Sequence, residues 1–338
     1  MKKTALLFAA ALLVMSSSAL QAQEANKKLV VSGFVNLKYQ MDFNDEEITG
    51  NTFRIHRARL SVSGDLNKIF SYKLQGDFCN NPALVDAFVK AKFNKAFALQ
   101  VGQFKVPFTL ESPIAPISLS GIDYSVAVSN LVGYSDVSGV GKLGRDIGIA
   151  AMGSFLDLGG YDLFNYNVAI VNGQGPNQLD FNKRKDLVGR LNIVPLRPLT
   201  LSGSYYYGKL GDAGDLLRSR YSLGVQYEDG PILARGEYIA GETEFFDNPL
   251  FSAGWYALAG YTFEWKNGDG TTHKLQPVVK IESFNSDTDN LKGTNYYRLG
   301  VNWMPYGNVQ LKVFYSLIHN RQTTVDNNQI LAQLSFKF

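Results

Sequence analysis

The stretch FRIHRARLSVSG, residues 53–64, sets Arg54, His56, Arg57 and Arg59 among residues that favour strands. Basic side chains on an extended segment offer three chemistries. They can neutralise the phosphates of a nucleic acid, hold an anionic substrate, or face a water-filled space while the opposite face meets something apolar. Alternation sorts the residues. Arg57, Arg59, Ser61 and Ser63 share one face, and Ala58, Leu60 and Val62 share the other. Arg54 and His56 fall on the parity opposite to Arg57, beyond the apolar stretch, which predicts a rim position for both.

Other chemistry is sparse. His56, His273 and His319 are the only histidines, and no G-x-S-x-G elbow occurs. No base can be paired with a nucleophile, so catalysis is not expected. Metal-ligand spacing of Cys or His is absent, and no cofactor is expected. GVGKLG, residues 139–144, fits G-x-G-x-x-G, but an alternating strand, RDIGIAAMGSF, follows where a dinucleotide loop needs a helix. Its glycines read as loop flexibility. Cys79 is the one cysteine, so no internal disulfide forms.

The elements that must position these residues follow from composition and pattern. Of the 338 residues, 19% are charged and 13% aromatic, which is low in charge and rich in rings for a soluble protein. MKKTALLFAAALLVMSSSALQAQ reads as a secretory signal peptide, residues 1–22, cleaved after Ala22. Its apolar run is too short to span a membrane. Cleavage takes Lys2 and Lys3 from the 33 bases and none of the 30 acids, so the charge balance falls close to zero. A nucleic-acid partner is therefore not expected. No later run of 18 apolar residues occurs, which leaves open a membrane barrel, whose alternating strands average to neutral hydropathy.

Alternation dominates residues 23–338. Val35, Leu37 and Tyr39 oppose Asn36, Lys38 and Gln40, and Ile330, Ala332, Leu334, Phe336 and Phe338 share the last face. Strands are predicted at 29–40, 53–63, 70–79, 84–93, 97–104, 146–155, 161–171, 186–194, 199–208, 219–228, 231–241, 253–265, 274–284, 295–303, 308–318 and 328–338. This is an all-β chain, a single closed antiparallel transmembrane β-barrel of about 16 strands with aromatic residues at both rims. DLNK (65–68), FNKA (93–96) and PLRP (195–198) read as short periplasmic turns. Residues 43–51, 176–185, 241–250 and 285–294 read as longer outer loops. Residues 105–145 form a long connection with weak alternation, apolar enough to pack against something, and an inward fold that narrows the bore is expected.

FRIHRARLSVSGDLNKIFSYKLQGDF and LVDAFVKAKFNKAFALQVGQFKVPFTLES, with RDIGIAAMGSF, FNYNVAIVNGQG and LAQLSFKF, resemble the phosphate-selective porin O and P family. The likeness covers nearly the whole mature chain and is most specific at FRIHRARL and VGQFKVPF. It implies a sixteen-stranded outer-membrane barrel, a homotrimer in outer-membrane lipid, that passes small anions with a preference for phosphate in the members that give the family its name. Phe338 looks like the signal read by the barrel assembly machinery. No motif pins the family's phosphate-contacting lysines to positions here.

Arg on the lipid face at mid-bilayer costs about 2–4 kcal/mol, so Arg57 and Arg59 are expected to face the lumen. The same registers place Lys73, Lys90, Lys92, Arg190, Arg220, Arg235, Arg298 and Lys312 on the lumen face as an anion path. Asp77, Asp86, Asp146 and Glu237 are the expected lumen acids, fewer than the bases, and excess inward positive charge favours anions. The alternative is a set of Arg–acid pairs bracing a neutral inner wall, in a general or structural outer-membrane barrel without anion preference.

Overall fold

The computed structural model describes residues 29–43, 50–79, 83–245, 248–290, 293–321 and 326–338. The expected signal peptide lies outside these residues, as does most of the expected outer loop 43–51.

The strands are β1 (Val30–Asp42), β2 (Asn51–Asp65), β3 (Phe70–Asp77), β4 (Leu84–Lys92), β5 (Ala98–Lys105), β6 (Arg145–Asp157), β7 (Asp162–Val171), β8 (Asp186–Leu196) and β9 (Leu199–Leu210). They continue as β10 (Leu216–Asp229), β11 (Ile232–Phe245), β12 (Asn248–Tyr261), β13 (Phe263–Lys266), β14 (Thr272–Asn285), β15 (Gly293–Tyr306), β16 (Val309–Asn320) and β17 (Asp326–Lys337). Apart from β12 and β13, each pairs antiparallel with its sequence neighbours, and β1 pairs with both β2 and β17, so the sheet closes. β12 and β13 are two pieces of one strand, interrupted at Thr262 and both paired with β14, so sixteen strands make the wall. Closure removes every exposed sheet edge, as an apolar medium demands. At the seam the backbone N–H groups of Gly33 and Phe338 each donate to the other residue's carbonyl at 3.0 Å. No helix among the described residues is long and apolar enough to cross a membrane.

Alternation works as the sequence indicates. Leu37, Val101, Leu223, Leu299 and Leu334 are exposed on the outside, while Asn36, Gln100, Ser222, Asn302 and Gln333 are buried on the inside. Exposed rings gather toward one rim at Phe93, Phe97, Tyr261, Phe263 and Trp265, and toward the other at Phe53, Phe78, Tyr207, Tyr221 and Phe251. One expected outer loop differs. Residues 241–250 are largely strand, because β11 and β12 stay paired from Ile232–Tyr261 out to Phe245–Asn248.

The apolar core lies inside the barrel. β5 ends at Lys105, and the chain then packs through a 3-10 turn (Pro116–Ser118) and a short helix, α1 (Val126–Leu131), before returning to β6. Phe108, Leu119, Ile122, Val128 and Leu131 of this segment are buried against Ile239, Tyr256, Leu258, Phe284 and Phe314 of the inner face. Fully burying a Phe or Leu side chain stabilises by about 1.5–3 kcal/mol, which explains apolar residues at lumen positions. Gly254 lets α1 approach the wall: a Cβ there would lie 2.8 Å from the Ala127 side chain. Gly139, Gly141 and Gly144 take φ of 71°, 92° and 63°, so GVGKLG is a turn leading into β6.

Candidate functional site: the charged lumen wall and the segment it holds

The basic stretch that opens β2 contains a β-bulge. Arg57 opposes Asn36 of β1, but the next pair is Leu37 with Ile55, so His56 is the extra residue. A bulge resets the alternation. Arg54 therefore opposes inward-facing Lys38, while Phe53 and Ile55 are exposed outside at 82% and 57%. The opposite parity expected for Arg54 is corrected, while its place near one end of β2 stands. Arg54, Arg57 and Arg59 all lie on the inner face, and the half-buried His56 brings Nδ1 to 3.9 Å from Asp123 Oδ1.

The ten bases assigned to the lumen from sequence all sit at inner-face register positions, but they do different things. Arg59 Nε donates to Asp77 at 2.8 Å, Lys73 Nζ to Asp86 at 2.8 Å, and Arg298 Nη1 lies 2.7 Å from Glu282. Arg220 grips Asp136 with both terminal nitrogens, at 2.5 and 2.7 Å. Gly241, opposite Arg220, makes room for that side chain, since a Cβ there would lie 2.5 Å from Arg220 Cγ. Lys312 donates to the carbonyls of Leu119 and Gly121, and Arg190 to the Thr109 carbonyl at 2.6 Å. Arg235 donates to Gln226 at 2.7 Å, and Arg57 lies beside His56 Nδ1 at 3.3 Å. Lys90 and Lys92 line a cavity in the inner wall.

The chain between Lys105 and Arg145 is thus fastened around the lumen, and it brings its own acids. Asp123 pairs with Lys38, Glu111 lies 3.7 Å from Lys280, and Asp136 takes Arg220. In the other direction, the N–H groups of Leu110 and Val126 each donate to wall carboxylates, Glu237 and Glu282, at 2.7 Å. Burial alone would raise the Asp123 carboxyl, but the Lys38 ammonium, with His56 and Arg57, holds it below the usual carboxylate range. Asp136 is likewise held low: burial opposes ionisation, and the Arg220 charge and hydrogen bonds outweigh it.

Lys38, Lys105, Arg145, Arg218 and Lys280 are further inward cations that sequence reasoning did not select. Lys38 was on the polar side of an alternating run and could have been found. Lys280 stands between outward Val279 and Ile281 with Glu282 next on its own face, so the same alternation could have found it. Arg145 Nε donates to Asp86 at 2.9 Å and Arg218 pairs with Asp186 at 2.5 Å. The result is a wall in which eight of these fifteen cations face a carboxylate.

One region differs. A cavity of about 330 Å³ is lined by Lys90, Lys92, Lys95 and Arg190 with carboxamides, and no carboxylate is among its lining residues. Lys95 is tied to Asp157 and Asp162. Its neighbour, about 290 Å³, holds Arg59, Lys73, Lys105 and Arg145 against the single acid Asp86, and both cavities share Asn167. Among the described residues, no group of three or more His, Cys, Asp or Glu could hold a metal ion.

The sequence matches the family model described as phosphate-selective porin O and P over residues 33–231. No curated protein matches it. Similar solved structures include an anion-selective porin from Comamonas acidovorans, at 14% identity over 93% of this chain and 100% of that one, TM-score 0.67. OmpF of Salmonella typhi in complex with daunomycin is similar at 12% identity over 92% and 98%, TM-score 0.68. The trimer form of in-vitro folded OmpT of Vibrio cholerae is similar at 12% identity over 93% and 100%, TM-score 0.62. At these identities the likeness is one of fold.

Proposed function

The chain belongs to the phosphate-selective porin O and P family, and on that premise we propose that it is an outer-membrane porin through which small anions, phosphate among them, diffuse passively. Wall cations without carboxylate partners raise the local anion concentration, because a charged cleft with low-dielectric walls focuses its field. The segment 105–145, held against the wall, sets the size limit. Nothing is turned over and no cofactor takes part.

The observation that carries this reading is the carboxylate-free lining around Lys90, Lys92 and Arg190. The anion selectivity of the Comamonas porin of the same fold supports it. A second reading, a barrel without anion preference, is favoured by the pairing of Arg59, Arg220 and Arg298. The Lys92→Glu/Arg190→Glu variant, in bilayer recordings across a KCl gradient, separates them. Loss of anion preference supports the first reading, and an unchanged reversal potential supports the second.

We place an export signal at residues 1–22 and assembly through the C-terminal Phe338. A homotrimer is our reading from the family, supported by the trimer form of a structure with the same fold.

A further inference from the structure

The cavity beside Lys90 and Lys92 is built from two adjacent rows of cross-strand partners. One runs Lys92, Ala98, Met152, Asn167, Arg190 across β4 to β8, and the next carries Ser154, Asn165 and Asn192 on β6 to β8. A bare oxyanion accepts hydrogen bonds and donates few or none, so its partners are donors such as Lys and Arg. This wall is different, because acceptors are interleaved with its cations. Asn167 Oδ1 is buried and has no hydrogen-bond partner. With no partner fixing that oxygen, the Asn167 carboxamide can turn it into the cavity and accept from a hydroxyl, a contact that a bare oxyanion cannot make. Asn192 Oδ1 already accepts from Ser202 Oγ at 2.8 Å, which leaves its amide N–H groups for a ligand. Ala98 is small where its row neighbours Lys92 and Met152 are long, which leaves depth in the wall. The cavity's 330 Å³ is about ten times a water's share of liquid volume, roughly 30 Å³, so it has room for more than a small oxyanion.

We propose that this wall binds anions that also carry hydroxyl groups, of the sugar-acid or sugar-phosphate class. The charged group lies at Lys90, Lys92 and Arg190, and hydroxyls lie on Asn165, Asn167 and Asn192. The proposal rests on the anion-porin reading and narrows its substrate class.

The test is block of chloride current by gluconate and by hexanoate, which share charge and carbon number and differ in hydroxyls. Gluconate should half-block at a concentration about tenfold lower, the ratio that one or two net hydrogen bonds supply. Asn167→Ala and, separately, Asn192→Ala should each narrow that gap several-fold, with heat-modifiable gel migration confirming a folded barrel. Equal block by the two anions in an anion-selective channel overturns the proposal and leaves the porin reading standing. A gap undiminished in both variants also overturns it. A channel without anion preference removes the porin reading itself, and the proposal with it.

Discussion

Arg220 of β10 donates two hydrogen bonds to Asp136, at 2.5 and 2.7 Å, joining residues 84 positions apart. Both side chains are almost fully buried. The same guanidinium donates to the Leu131 carbonyl at the end of α1, at 2.8 Å. One wall residue therefore holds both the helix and the turn that follows it.

Breaking this pair from one side leaves a buried charge without its partner. Arg220→Met should destabilise the fold by about 3–5 kcal/mol, read as a lower temperature of heat-modified migration. The inserted segment should loosen, with larger and noisier single-channel conductance. Changing both residues to apolar ones, Arg220→Met with Asp136→Leu, should recover part of the loss, because neither charge is then stranded.

The bulge at His56 makes a sharper prediction. Deleting His56 removes the extra residue and reverses the parity of everything before it in β2. Arg54 then faces outward and Ile55 inward. Arg on the lipid face costs about 2–4 kcal/mol at the midplane and less toward the rim, so the deletion should lower the temperature of heat-modified migration. His56→Ala keeps the residue count and should assemble.

The loop carboxylates fix the pH response. Asp123 and Asp136 are both held below the usual range, so each contributes stability that is present above the unfolded carboxylate value, about 3.9, and is lost only as pH falls through the lower folded value. The Asp123–Lys38 and Asp136–Arg220 contacts should therefore persist as pH falls from neutral to about 4.5, well above the folded values. Asp123→Asn leaves Lys38 without its charge partner and should give noisier conductance at neutral pH already. A conductance step within that range that is present in the parent channel and disappears in Asp123→Asn or Asp136→Asn would contradict the assignment of these two as fasteners.

The wall was legible in the sequence because period-two alternation is a local property. It put Arg59, Arg220 and Lys312 on one face and Leu60, Tyr221 and Val313 on the other. What each cation does was not legible. The partners of Arg220 and Lys312 arrive from a segment 84 and more than 190 residues away, and no local pattern encodes such pairing. Arg54 was set on the wrong face for a related reason: one bulge residue shifts parity without any mark in composition. Apolar lumen positions such as Ile239 and Phe314 make sense only once the inserted segment covers them.

The measurement that bears most directly on the central claim is the reversal potential of the wild-type protein in a planar bilayer, with unequal KCl on the two sides, followed by added phosphate. The account predicts an anion-selective potential, and a fall in chloride current as phosphate enters the wall at Lys90, Lys92 and Arg190. A cation-selective or unselective potential would contradict it, and would mean that the paired charges of the lumen, rather than the cations of this one wall, govern what passes.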